Sequence, residues 1–83
     1  MMTWNHRIIK HDMKKPAYFA IHEVFYDEDG KINGWTQDPI DISGDSRKEI
    51  LRILKQISLD IKTAVLNESK LLKDTMNKTK IKL

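Results

Sequence analysis

The spacing of apolar residues changes once along this chain, and the change separates two kinds of structure. Up to about residue 37, apolar and aromatic residues come in short runs bounded by polar or glycine-containing stretches. Trp4 to Lys10 (WNHRIIK), Pro16 to Tyr26 (PAYFAIHEVFY) and Lys31 to Gln37 (KINGWTQ) predict three strands, the second being the densest in aromatic and β-branched residues. Pro16 suits a first strand position, where its missing N–H costs no ladder bond. The intervening HDMKK is polar enough for a loop. Asp29-Gly30 predicts a two-residue hairpin turn with both residues at positive φ.

From residue 46 the period becomes helical. Ser46-Arg47-Lys48-Glu49 fits a capping box, with Ser46 as N-cap and Glu49 reaching back to the Ser46 N–H. Asp45 adds negative charge at the positive helix end. Ile50, Ile53, Leu54, Ile57, Ile61, Ala64 and Val65 fall in one arc of about 120°, which must pack on the sheet. The helix is expected to run to about Thr63. Beyond it, Leu71, Leu72 and Met76 either extend the helix, build a second short one or lie in a flexible tail. The expected fold is α+β: a three-stranded antiparallel β-meander against one long α-helix, as one domain over residues 1–66. A lysine-rich extension occupies residues 67–83.

Length limits the core, because a chain of 83 residues buries only about 60% of its unfolded surface. Dimerisation is a natural supplement, so a homodimer is expected. No cysteine is present, which removes disulfides and thiolate metal sites. No apolar run approaches the length of a membrane span, and no signal-like segment opens the chain, so a cytoplasmic protein without membrane contact is expected. The net charge of +3 resides in the extension, where Lys70, Lys73, Lys78, Lys80 and Lys82 face only Glu68 and Asp74.

Candidate chemistry is sparse. The acidic stretch YDEDGKINGW invites a calcium loop. Aligning its glycine with that of an EF-hand puts Phe25 at the first ligand position and Thr36 at the twelfth, so both end ligands are missing. His6, His11 and His22 invite a metal. His6 and His22 could approach on paired strands, but Glu23 then points to the other face from His22. Surface or half-buried histidines are expected, with no metal and no cofactor. The serines lie in turns, caps or helix surface, and none sits in a nucleophile elbow. No nucleophile–base–orienter set can be assembled, which argues against an enzyme.

Two surfaces remain. One helix covers one sheet face, so sheet aromatics on the other are exposed, covered by the extension, or covered by a second subunit. Trp4, Tyr18, Phe25, Tyr26 and Trp35 are therefore a candidate partner or dimer surface, together with Leu59 and Leu66, which point away from the helix's apolar arc. Lys48, Arg52, Lys55 and Lys62 share that back face as candidate basic contacts. Interface use ranks ahead of RNA or single-strand binding by base stacking. Lysine also outnumbers arginine twelve to three, which weakens base reading.

The run from Tyr18 to Gly30 (YFAIHEVFYDEDG), with Gly34-Trp35-Thr36, Asp38-Pro39 and Gly44-Asp45-Ser46, resembles a family of short uncharacterised bacterial proteins. Their shared pattern is close to WNYR…YYAIHEVYYDEDG…GES, and the likeness spans residues 3 to about 66. More distantly, the plan is similar to the N-terminal domain of HicB-type antitoxins, with Pro39, Gly44, Asp45 and Ser46 in matching places. That resemblance implies a reduced ribonuclease-H-like fold without catalytic acids, binding a small toxin ribonuclease. The chain carries no recognisable helix-turn-helix or ribbon-helix-helix segment. The resulting expectation is a non-enzymatic small interaction module with antitoxin-like protein binding. Nucleic-acid binding through sheet aromatics and the basic tail is the alternative.

Overall fold

The computed structural model describes residues 3–74; Met76, Lys78, Lys80 and Lys82 lie outside them. The fold is α+β, with four strands rather than three. Strand β1 (Thr3–His11) pairs antiparallel with β2 (Tyr18–Tyr26) along its whole length, from Thr3↔Tyr26 to His11↔Tyr18. Strand β3 (Ile32–Trp35) adds to the far edge of β2. Helix α1 (Arg47–Asp60) then crosses over, and the chain returns as the two-residue β4 (Leu66–Asn67), parallel to β1. The sheet order is β3-β2-β1-β4. Residues 68–74 are helical and form α2.

Strand alternation sorts the side chains onto two faces. The register puts Trp4, His6, Ile8 and Lys10 with Phe19, Ile21, Glu23 and Phe25 on one face. Asn5, Arg7, Ile9 and His11 share the other with Tyr18, Ala20, His22, Val24 and Tyr26. Helix α1 lies over the first face, where Ile53, Gln56 and Ile57 border a cleft with Trp4, His6 and Glu23. The second face is covered as well. Leu71 of α2 joins Ile9 and Val24 in a buried cluster, with Tyr26, Ile32, Trp35 and Leu66 packed around it. The segment after Leu66 thus supplies part of the core.

Local chemistry accounts for the elements and for three departures from expectation. Ser46 is the N-cap of α1 and its hydroxyl accepts the Glu49 N–H at 3.1 Å. The Glu49 carboxylate reaches the Asp45 N–H at 3.2 Å, one residue earlier than the standard capping box places it. Gly44 makes room for this, since a Cβ there would stand 3.2 Å from the Glu49 side chain.

The second departure is at the hairpin. Asp29 does not take positive φ; Gly30 alone does, at +79°. The loop is wider than two residues, closed by Asp27 N–H to the Lys31 carbonyl at 2.8 Å. The Asp27 carboxylate accepts the N–H groups of Asp29 and Lys31 at 2.9 and 3.0 Å. A turn followed by one left-handed glycine is the three-residue hairpin geometry, with the bulge that such loops carry. Further along, the ladder slips between Phe25 and Tyr26, which face Gly34 and Ile32, so that Asn33 is the extra residue.

The third concerns the end of α1. The helix stops at Asp60, capped by Ile61, short of the expected Thr63. Thr63 turns its hydroxyl back onto the Asp60 carbonyl at 3.1 Å. Arg7 then takes the Ala64 carbonyl at 2.7 Å, and Leu66 enters the sheet opposite Ile9. Ala64, Val65 and Leu66 are therefore not helical, and Lys62 lies past the helix end. Of the expected apolar arc, only Ile57 is fully buried, while Leu54 remains exposed.

Candidate interaction surface and a buried histidine network

The outward side of α1 is amphipathic. Lys48, Arg52 and Lys55 recur at helical spacing and, with Leu51, line one shallow surface depression. Leu51 is 56% exposed and Leu59 is 53% exposed, so both leucines stand among the cations rather than in the core. Lys62 belongs to the turn beyond the helix.

The expected aromatic surface is divided by the fold. Trp4 and Tyr18 are exposed, on opposite faces of the sheet. Phe19, on the Trp4 face, is also exposed and has the Lys10 ammonium 5.8 Å above its ring centroid. Phe25 is half-buried on the α1 side. Tyr26 and Trp35 pack against the Leu71 cluster, so α2 occupies the place where a second subunit was one possibility. Leu66 packs there too, from β4 rather than from a helix. Among the described aromatic residues, Trp4, Tyr18 and Phe19 stay exposed, as do Leu51, Leu54 and Leu59 of α1.

The histidines depart furthest from expectation. All three are buried, His6 at 8%, His11 at 5% and His22 at 0% exposure. His6 and His22 do not meet: the register pairs His6 with Glu23 and Arg7 with His22, putting the two histidines on opposite faces. The His6 ring Nδ1 lies 2.8 Å from Asp60 Oδ2, and the same oxygen accepts the His6 backbone N–H at 3.1 Å. Burial works to raise the Asp60 carboxyl, but these two hydrogen bonds and one from Gln56 outweigh it and hold the group below its usual range.

His11 and His22 meet instead. Their Nε2 atoms are 2.9 Å apart, the two residues lying on the same face of adjacent strands. His11 Nδ1 lies 2.6 Å from Glu68 Oε2 at the start of α2. His22 Nδ1 lies 2.9 Å from the Thr36 carbonyl, with the Thr36 hydroxyl at 3.4 Å. The Tyr18 ring stacks on His11 at 4.5 Å, only 15° from parallel. One residue on, the Asp12 carboxylate takes the Ser69 hydroxyl and N–H at 2.5 and 3.0 Å, and these bonds keep it below the usual carboxylate range.

A second polar group ties the same strand to the same segment. Arg7 donates to Tyr26 Oη at 2.9 Å and to the Ala64 carbonyl, while Tyr26 donates to Asn5 Oδ1 at 2.8 Å. From His6 to Asp12, β1 and the turn after it thus clasp residues 60–69 through polar contacts. Among the described residues, no group of three or more His, Asp or Glu is placed to hold a metal ion. Glu68 carried no signal beside its own neighbours, since its partner His11 lies 57 residues away.

The cleft between α1 and the sheet measures about 330 Å³ and includes Trp4, His6, Glu23, Ile42 and Ile57. No described helix is long and apolar enough to cross a membrane. Comparison with known protein families, with curated proteins and with solved structures returned no match.

Proposed function

We propose that this protein is a non-enzymatic interaction module whose contact face is the outward side of α1, and that its partner is a protein segment combining apolar and acidic residues. The observation that carries this reading is the exposure of Leu51 in a depression with Lys48, Arg52 and Lys55, and of Leu59 one helical turn past Lys55. Leucines placed in solvent gain free energy when covered, about 25 cal/mol per Å² of apolar area. The surrounding cations select for carboxylates and speed encounter. A second copy of the chain is a poorer occupant of this face, because antiparallel pairing of α1 with itself brings like charges together. The non-enzymatic reading is supported by the histidine network, in which His11 and His22 have both ring nitrogens engaged. The antitoxin-like role is the form this module takes if the HicB resemblance extends to function. The uncharacterised bacterial family resembled over residues 3 to 66 adds no activity to it.

The test is calorimetric titration with two probes: a helical peptide alternating Glu and Leu faces, and a twelve-nucleotide single-stranded RNA. Each is run at low and high salt on the wild type, Leu51→Ser and Leu59→Ser. Peptide binding that both substitutions weaken, and that salt weakens only mildly, supports the reading. RNA binding that falls steeply with salt and ignores both substitutions overturns it in favour of nucleic acid. Light scattering of the same samples reads the expected homodimer independently.

A further inference from the structure

Buried hydrogen bonds must each contain one proton, and this requirement sets the protonation of the His11–His22 pair. Three bonds run in series: Glu68 Oε2 to His11 Nδ1, His11 Nε2 to His22 Nε2, and His22 Nδ1 to the Thr36 carbonyl. The Thr36 carbonyl can only accept, so His22 Nδ1 carries a proton. An ionised Glu68 can only accept, so His11 Nδ1 carries one too. Two neutral rings would then face each other with bare lone pairs at 2.9 Å. Two imidazolium rings would face each other with two N–H groups. Only one further proton, between the Nε2 atoms, satisfies all three bonds.

We propose that His11 and His22 hold a single shared proton, neutralised by Glu68, and that this proton fastens α2 to the sheet and makes its docking pH-dependent. The cationic ring is His11, flanked by the Glu68 carboxylate and stacked under Tyr18, an arrangement that favours imidazolium. The polar groups facing the pair come from several elements. Glu68 comes from α2, Tyr18 from β2, and Thr36 from the segment after β3. Asp12, just past the end of β1, is held by Ser69, and Arg7, the cross-strand neighbour of His22, donates to Tyr26 and Ala64 while its buried Nε has no hydrogen-bond partner.

The sign follows from counting protons. In the unfolded chain both histidines titrate near pH 6.5. Well below that value the unfolded chain binds two protons where the folded pair binds one, so stability rises with pH. Well above it the unfolded chain binds none against one, so stability falls with pH. The pair makes the fold most stable in a middle window, with the folding constant dropping by up to about tenfold per pH unit on either side. Because Glu68 opens α2 and Leu71 lies one turn further on, the loss is concentrated in the packing of α2 over Tyr26 and Trp35.

The decisive measurement is long-range 15N NMR of the uniformly labelled wild-type chain at pH 7. The proposal requires His11 protonated on both nitrogens and His22 protonated on Nδ1 alone. Two neutral rings or two imidazolium rings would overturn it. So would one equivalent of bound metal ion in the purified protein together with metal-shifted Nε2 resonances, because a cation would then occupy the proton's place. Urea unfolding from pH 4 to pH 9 adds a second reading. The difference in stability between the wild type and a double variant, His11→Gln with His22→Gln, should peak in the middle of that range, and a flat difference counts against the shared proton. Amide protection at residues 66–71, taken relative to the intrinsic exchange rate at each pH, should fall on both sides of the window in the wild type ahead of protection in β2; a uniform fall would overturn the assignment to α2.

Discussion

Asp60 Oδ2 receives both the ring and the backbone N–H of His6, at 2.8 and 3.1 Å. One carboxylate at the last turn of α1 thereby satisfies the edge of β1 ahead of its two-residue pairing with β4. It also anchors a helix that otherwise buries only Ile57 against the sheet.

Removing this anchor leaves a buried ring and an edge N–H without their acceptor. An unsatisfied buried partner costs about 1–3 kcal/mol, so Asp60→Ala should lower the urea midpoint by that equivalent. The carboxyl is depressed in the folded state, so its stabilisation is fully present above its unfolded value near pH 4 and is lost as the pH falls through the lower folded value. The gap between wild type and Asp60→Asn should accordingly persist at neutral pH and narrow below about pH 4. A gap that stays constant down to pH 2 would contradict the pairing.

Leu71 is the single buried apolar contribution of α2 to the described core. Truncating a buried leucine costs about 2–5 kcal/mol in lost transfer free energy and residual cavity. Leu71→Ala should therefore consume much of the stability of so small a domain, with red-shifted tryptophan emission as Trp35 loses its cover. Leu72, on the exposed side of the same helix, provides the control: Leu72→Ala should change stability by no more than about 0.5 kcal/mol.

How much of this was readable beforehand follows from the range of each interaction. The three antiparallel strands and the start of α1 rest on alternation, turn residues and a local cap, and all of these act within a few positions. The hairpin was legible in place but not in type, because the Asp27 side chain, not the Asp29-Gly30 pair alone, organises the loop. The end of α1 was not legible. Nothing in the run from Lys62 to Val65 breaks a helix; Arg7 and Ile9 of β1 claim the backbone there instead. The histidine network was least legible of all. A one-residue change in β1–β2 register would exchange its members, and its carboxylate comes from the extension, where helix continuation, a second helix and a flexible tail were equally open.

Gly30 sits at φ +79°, and a Cβ added there would meet no atom within 4 Å. Any cost of substitution is therefore conformational rather than steric. A non-glycine residue in the left-handed region loses about 1–2 kcal/mol, so Gly30→Ala should destabilise by about that amount while the fold persists. Gly30→Asn should recover part of the loss, since asparagine tolerates this region better than alanine. Equal midpoints for all three chains would mean that the loop does not depend on the left-handed residue.

Ile57 and Leu51 lie on the same helix, one fully buried and the other 56% exposed, and their contrast separates folding from binding. Ile57→Ala removes a buried side chain and should cost about 2–5 kcal/mol. Leu51→Ser removes only solvent-facing apolar surface and should move stability by no more than about 0.5 kcal/mol. The order reverses for partner binding, because residues that anchor an interface typically cost about 2 kcal/mol or more when truncated, roughly thirtyfold in affinity. Titration with the acidic amphipathic peptide should show that loss for Leu51→Ser in a chain whose urea midpoint is unchanged. If Leu51→Ser instead unfolded the chain while binding persisted in the folded fraction, Leu51 would be a structural residue, and the contact face would have to lie elsewhere.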